Sequence, residues 1–375
     1  MNLDFDLSGR LSFGLRCAEA HAERSVRRHM DPFPPRPGNG GQVDVLLEFG
    51  PERRHLVELQ NPARDGLVTG SDGQRLALVV DGRACTLADS LAELPARFVA
   101  DPGFPLGPAF AMLVRPALQL ALAARGASAV HAAAVEVEGA AVIVAGWSES
   151  GKTETALALM EDGARFLSDK WTVLGEDGLA SAFPVGVGVR RWVIPALPRL
   201  GAALPRAARA QLGIAGVVER VSRPVRRNPT EETLLSAAQR MMERGIALAD
   251  RAGLSPSELR AAYGQTDDPA RRVPVRLVAV LETIPAGDPW VAQADRAAAA
   301  LRLARSAAYE RRDWFALIER AGYALPQRPI DGMVRSVEQD RRLLATVLEG
   351  VDVVRVRAPF PTDPRQVAAE LSKWL

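Results

Sequence analysis

Gly146-Trp147-Ser148-Glu149-Ser150-Gly151-Lys152-Thr153 satisfies the pattern G-x-x-x-x-G-K-[ST] at every fixed position. These residue types at this spacing suit the holding of a nucleoside triphosphate. The glycines let successive backbone N–H groups turn toward an anion. Lys152 can reach the β and γ phosphates, and the Thr153 hydroxyl can ligate Mg²⁺. A helix beginning at 153 adds the positive end of its dipole. ATP with Mg²⁺ is therefore the expected ligand, and residues 146–154 are its expected cradle.

Of 47 basic residues only Lys152, Lys170 and Lys373 are lysine. In a chain that uses arginine almost everywhere, a retained lysine points to a task for a compact ammonium. Two of the three lie in or near the loop. Lys170 follows Asp169 in Phe166-Leu167-Ser168-Asp169-Lys170-Trp171, which makes both residues candidates.

The elements that must position these groups are legible around the loop. VHAAAVEVEGAAVIVAG (130–146) reads as two strands around a turn at Glu138-Gly139. The run AAVIVAG has no alternation, as in a strand buried on both faces. TETALALMEDG (153–163) reads as a helix with Gly163 as its C-cap. ARFLSDKWTVL (164–174) returns to strand, GEDG (175–178) is a turn, and LASAFPVGVGV (179–189) is extended. Strand, loop, helix and strand in this order make the α/β core of a nucleotide-binding unit.

Upstream, residues 1–125 carry no chemical motif and read as an α+β region, structural or substrate-docking. VDVLLEF (43–49) and RLALVVDG (75–82) are expected strands. PAFAMLVRPALQLALAARG (108–126) is an expected helix ending at Gly126. Downstream, residues 196–272 read as a helical insertion. Asn228-Pro229-Thr230-Glu231 and Ser255-Pro256-Ser257-Glu258 each combine a cap residue, proline at N1 and an acid at N3. VPVRLVAVLETI (273–284) and DVVRVRAPF (352–360) are expected strands. VEQDRRLLATVLEG (337–350) and PRQVAAELSKWL (364–375) are expected helices.

The whole chain sets wider bounds. It has 375 residues, 47% hydrophobic and 25% charged, with a net charge of +2. That balance gives no reason to expect nucleic acid as a partner. No apolar run approaches the roughly 18 residues that a membrane span needs. MNLDFDLSGR has no signal-peptide core, and Cys17 and Cys85 do not make a disulfide framework. A cytoplasmic protein with no membrane partner is expected. A homo-oligomeric state stays open.

GWSESGKTETALALMEDGARFLSD resembles the core of the HPr kinase/phosphorylase family and its relatives. The matching positions are Gly146, Ser148, Gly151, Lys152, Glu154-Thr155-Ala156-Leu157 and Gly163. Asp169 falls on the first member of the family's Asp-Asp pair, and His131 fits its histidine before the hairpin. The resemblance covers about residues 128–192. It implies a P-loop kinase core of the phosphoenolpyruvate carboxykinase type, with a mixed sheet, over 126–375. It also implies ATP-dependent phosphorylation of a serine-type hydroxyl on a peptide, protein or small metabolite.

Three departures qualify it. Lys170 replaces the second aspartate, the 196–272 insertion is unfamiliar, and no segment for a phosphorylase half-reaction is found.

The resemblance assigns expected roles. Asp169 holds Mg²⁺ with Thr153, or accepts the hydroxyl proton. His131 is a base or polarises the acceptor, and Lys170 contacts the transferring phosphate or an acidic acceptor. Glu154 supports the cation site. Arg190 and Arg191 are weaker candidates for anion binding, and Glu282 for a second carboxylate. Arg220, Arg223, Arg226 and Arg227 cluster in the insertion. A regulatory, non-catalytic ATP-binding protein is the alternative, motivated by the missing second carboxylate. A carboxykinase-like enzyme is weaker still, for its further metal-binding pattern is absent.

Overall fold

The computed structural model describes residues 2–17, 20–38, 41–50, 57–58, 68–71, 75–87, 94–213, 250–324, 326 and 334–375. Within them the chain is mixed α/β, with two large mixed sheets.

The first sheet is built from residues 2–100. Asn2–Leu7 alternates, burying Leu3, Phe5 and Leu7, and pairs antiparallel with Leu11–Arg16. The expected strands are present as Val45–Phe49 and Leu76–Val80. A helical run over 106–125 follows and ends on Gly126, whose φ of 63° gives the expected stop. Its turn widens to π spacing over Phe110–Val114. Pro116 lacks an N–H and would clash with the carbonyl four residues back, so the wider turn relieves it.

The second sheet carries the glycine-rich loop 146–153. Ala132–Val137 and Ala140–Gly146 form the expected hairpin, in register from Val137 opposite Ala140. Glu138 and Gly139 make the two-residue turn with φ of 51° and 80°, as strand twist favours. Ala140–Gly146 runs parallel to Val273–Thr283, which runs parallel to Asp352–Ala358. Both faces of this centre are covered. Val142 and Val144 pack with Leu157 of the helix Lys152–Glu161 and Leu371 of the helix Pro364–Ser372. Ile143 and Ala145 pack with Leu303 and Leu344 of the helices Arg296–Glu310 and Val337–Val347. This double burial is why AAVIVAG shows no alternation. Each of the valine, isoleucine and leucine side chains contributes roughly 1.5–3 kcal/mol through removal from water.

The two regions share one apolar core. Phe110 and Leu118 from the first half lie in the same cluster as Trp171, Val173, Trp314 and Leu317 from the second.

Two readings from the sequence are corrected. ARFLSDKWTVL is not one strand. Arg165–Ser168 pairs with Ala132–Val137, whereas Thr172–Gly175 pairs with Ala127–Val130 and Leu179–Ala182. Between them the chain turns sharply: the Trp171 N–H donates to the Asp169 carbonyl at 2.6 Å, with Lys170 at φ 61°. Buried hydroxyls fix the corner, since Ser168 Oγ lies 2.6 Å from Thr172 Oγ1, which donates to the Ala132 carbonyl. A pattern of strand-forming residues does not reveal a corner held by side chains.

The 196–272 stretch is also not purely helical. Its described part holds the helices Pro198–Ala203 and Pro256–Ala262, the latter with the expected capping box from Ser255 and Glu258. It also holds a strand, Arg251–Leu254, paired with Val187–Arg190. The helix start at Asn228 and the cluster Arg220, Arg223, Arg226 and Arg227 lie outside the described residues. Among the described residues no helix is long and apolar enough to cross a membrane.

Candidate functional site

The buried strand Ala140–Gly146 delivers the chain to a tight reversal. A Cβ on Gly146 would meet Ser150 Oγ at 2.5 Å and the Leu281 carbonyl at 3.0 Å, so only glycine fits. The loop turns through Glu149 and Gly151 at φ of 61° and 93°, and the Ser150 hydroxyl closes it onto the Trp147 carbonyl at 2.9 Å. Lys152–Glu161 then starts at Gly151 with no side-chain cap. Uncapped first-turn N–H groups are a ready anion site. The helix ends at Gly163, where the Ala164 and Gly163 N–H groups close onto the Leu159 and Met160 carbonyls.

Lys152 is buried, and its Nζ folds over the loop to donate to the Gly146 carbonyl at 3.0 Å and the Trp147 carbonyl at 2.6 Å. Burial lowers it to about 8, against the opposing pull of Asp169, Glu310 and Glu154. The Thr153 hydroxyl donates to Asp169 Oδ1 at 2.7 Å. Burial raises Asp169 to about 6, and Glu154 adds to the rise; the bonds from Thr153 and the Lys170 N–H, and the Lys152 charge, oppose it. Lys170 itself is exposed.

These groups open on one cleft of about 590 Å³, within the range of small-ligand sites. It gathers every predicted loop residue from Ser148 to Glu154, together with His131, Asp169, Lys170 and Arg190. Gly146 and Trp147 do not line this cleft but a neighbouring cavity, and Trp147 is exposed, with its ring 4.6 Å from that of Tyr309. Glu154 is buried, and Arg190 Nε lies 3.7 Å from its carboxylate while Arg190 Nη2 donates to Glu149 at 2.8 Å.

His131 is present but electrostatically unsuited to take a proton. Burial, then Lys152 and Lys170, push its imidazole down to about 3. Its Nδ1 lies 3.3 Å from Ser306 Oγ and 3.5 Å from Glu310 Oε1. With a neutral imidazole at pH 7, the Glu310 contact is not an ion pair.

Two weaker candidates are placed elsewhere. Arg191 bonds Asp250 at 3.2 Å, away from the cleft lining. Glu282 is half-buried and paired with two arginines: Arg302 donates to it, and Arg357 donates at 2.9 Å. It does not line this cleft.

Sequence reasoning missed Arg115, Arg251, Glu310 and Phe360, which also line it. They come from a motif-free region, the supposed helical insertion and the C-terminal third. No spacing rule links them to the loop.

An ATP·Mg²⁺ ligand fits the residues present. The uncapped helix start and Lys152 suit phosphate oxygens. The raised Asp169 is a carboxylate whose ionised form a cation would favour. Among the described residues no three His, Cys, Asp or Glu side chains group as a protein-only metal cage. Mg²⁺ would therefore be held by Asp169, Thr153 and the phosphates themselves, as its preference for few protein ligands allows. No family model matches the chain, and no curated protein matches it.

Proposed function

We propose that this protein is an ATP-dependent, Mg²⁺-using kinase with an HPr kinase-like core, transferring the γ-phosphate to a serine-type hydroxyl on a peptide, protein or small metabolite. The observation that carries the reading is the Thr153–Asp169 hydrogen bond at 2.7 Å. It brings a candidate cation ligand and a candidate proton acceptor together at the mouth of an intact phosphate loop.

Phosphoryl transfer needs positioning and charge neutralisation above all. The acceptor oxygen forms a bond to the γ-phosphorus as the bond to the bridging β–γ oxygen breaks, and ADP leaves. Lys152 offsets charge on the phosphates. Asp169 takes the hydroxyl proton; raised to about 6, it is mostly ionised at pH 7. Bound Mg²⁺ supplies further positive charge against the phosphate oxygens.

The alternative is a regulatory ATP-binding protein. Lys170 in place of a second carboxylate favours it. One experiment separates the two: the purified protein is incubated with γ-labelled ATP and cell extract, and phosphorylated species are identified by mass spectrometry. Transfer that disappears in Lys152→Ala and Asp169→Asn supports the kinase. Tight ATP binding with neither hydrolysis nor label on any acceptor supports the alternative.

A further inference from the structure

The cleft holds cations that its own carboxylates do not engage. Arg190 is committed to Glu149 and Glu154, and Lys152 to the loop carbonyls. Arg115, Lys170 and Arg251 line the same cleft, and none has a carboxylate partner among the described residues. The acids that face the cleft are engaged elsewhere: Glu149 with Arg190, Glu154 beside Arg190, Asp169 with Thr153, and Glu310 beside His131.

Each of the three cations sits at a local cost. The Arg115 Nη2 lies 3.3 Å from His29 Nδ1, and its Nε is buried without a hydrogen-bond partner. His29 is no counter-ion, since burial and Arg115 hold it down at about 4. Lys170 takes φ 61°, a backbone region that penalises any residue with a Cβ. Arg251 stands directly opposite Arg190 in the antiparallel pair, where like charges repel. Its side chain lies across Gly188, where an added Cβ would come within 2.6 Å of Arg251 Cδ. One bound anion would relieve the electrostatic costs together.

We propose that Arg115, Lys170 and Arg251 form an anion subsite, separate from the phosphate loop, for the carboxylate or phosphoryl group of a hydroxyl-bearing acceptor. This rests on the reading of the cleft as a phosphoryl-transfer site. Guanidinium forks suit the planar or tetrahedral oxygens of such a group, and an ammonium adds a point charge. Because Lys170 adjoins Asp169 in the chain, an acceptor held there presents its hydroxyl near the candidate base. A neutral alcohol leaves the three cations unpaired and is discriminated against.

The protein, saturated with a non-hydrolysable ATP analogue and Mg²⁺, is titrated calorimetrically with glycerate, glycerol 3-phosphate, inorganic phosphate and glycerol. At least one anionic probe binds and glycerol does not, and the first two arms tell carboxylate from phosphoryl. Arg251→Gln and Lys170→Gln each weaken anion binding by about tenfold or more, whereas analogue affinity changes by less than about twofold in Arg251→Gln. Arg251→Lys, which keeps a cation, retains part of the binding and guards against misfolding as the cause. Anions that bind no better than glycerol, or equally well to both glutamine variants, overturn the proposal. If the analogue binds and no anion does, the subsite fails and the kinase reading stands. If the analogue fails to bind and anions still depend on Arg251, the kinase reading fails and the subsite stands.

Discussion

Thr153 and Asp169 are 16 residues apart in the chain and 2.7 Å apart in the fold, hydroxyl donating to carboxylate. The helix start and a sheet corner meet at this bond. Asp169→Asn keeps the shape and an acceptor oxygen but removes the charge. Transfer should fall by roughly 10²- to 10⁴-fold, the usual worth of a general base. Nucleotide binding without Mg²⁺ should change little. A phosphotransfer assay beside a fluorescent-nucleotide titration measures both, and unchanged transfer would sink the assigned role.

Lys152 donates to two loop carbonyls from a buried position. Lys152→Ala should weaken ATP binding by on the order of tenfold or more, for one charge-assisted contact is lost. Lys152→Arg should not restore it, because a planar fork does not fit where a compact ammonium is enclosed. Restored affinity in the arginine variant would contradict this.

The pH dependence has two parts. Asp169 is raised from 3.8 to about 6 on folding. Between those values the folded state binds more protons than the unfolded one, so stability falls as pH rises through this window. Above pH 6 the penalty levels at up to about 3 kcal/mol. Asp169→Asn should remove this slope, read as the difference in melting temperature between variant and wild type from pH 4 to 7. Activity should run the other way, with kcat/KM rising as Asp169 ionises near 6 and falling as Lys152, lowered to about 8, loses its proton. Added Mg²⁺ should move the ascending limb to lower pH.

Lys170 separates stability from function. At φ 61° a glycine escapes strain of roughly 1–2 kcal/mol, against an entropic cost of roughly 0.5–1 kcal/mol. Lys170→Gly should therefore melt at the same or a higher temperature while transferring phosphate more slowly. Lys170→Asp should not accelerate transfer. A faster aspartate variant would mean that the lysine is damage rather than design.

Behind the site, Asp340 is fully buried and accepts from Arg311 and, at 3.0 Å, from the Ser128 hydroxyl. Arg335 Nε lies 2.6 Å from Oδ1 but is not aligned for a hydrogen bond. Asp340→Asn should destabilise the protein by about 3–5 kcal/mol, since it leaves a buried arginine uncompensated. Chemical denaturation checks this, and a loss under about 1 kcal/mol would show the network to be dispensable.

Much of the core was legible because its signals are local. The hairpin turn at Glu138-Gly139, the unbroken apolar strand, the loop and the glycine-capped helix each follow from neighbours a few residues apart. The corner at Asp169-Lys170-Trp171 was not legible. It depends on Ser168 and Thr172 meeting each other and the Ala132 carbonyl, contacts that exist only once the sheet has formed.

The sequence by itself determined that the glycine-rich loop 146–153 would sit between a buried strand and a helix, with Lys152 and Thr153 at the helix start. Backbone conformation and periodicity encode such things within one or two turns of chain. Only the tertiary structure decided that His131 is held neutral, that Glu282 is tied to Arg302 and Arg357, and that Arg115 and Arg251 face the loop. Burial and the charges around a group set its protonation and its partners. Both arise from elements brought together across separations that run from 20 residues for Glu282 and Arg302 to 175 for His131 and Ser306.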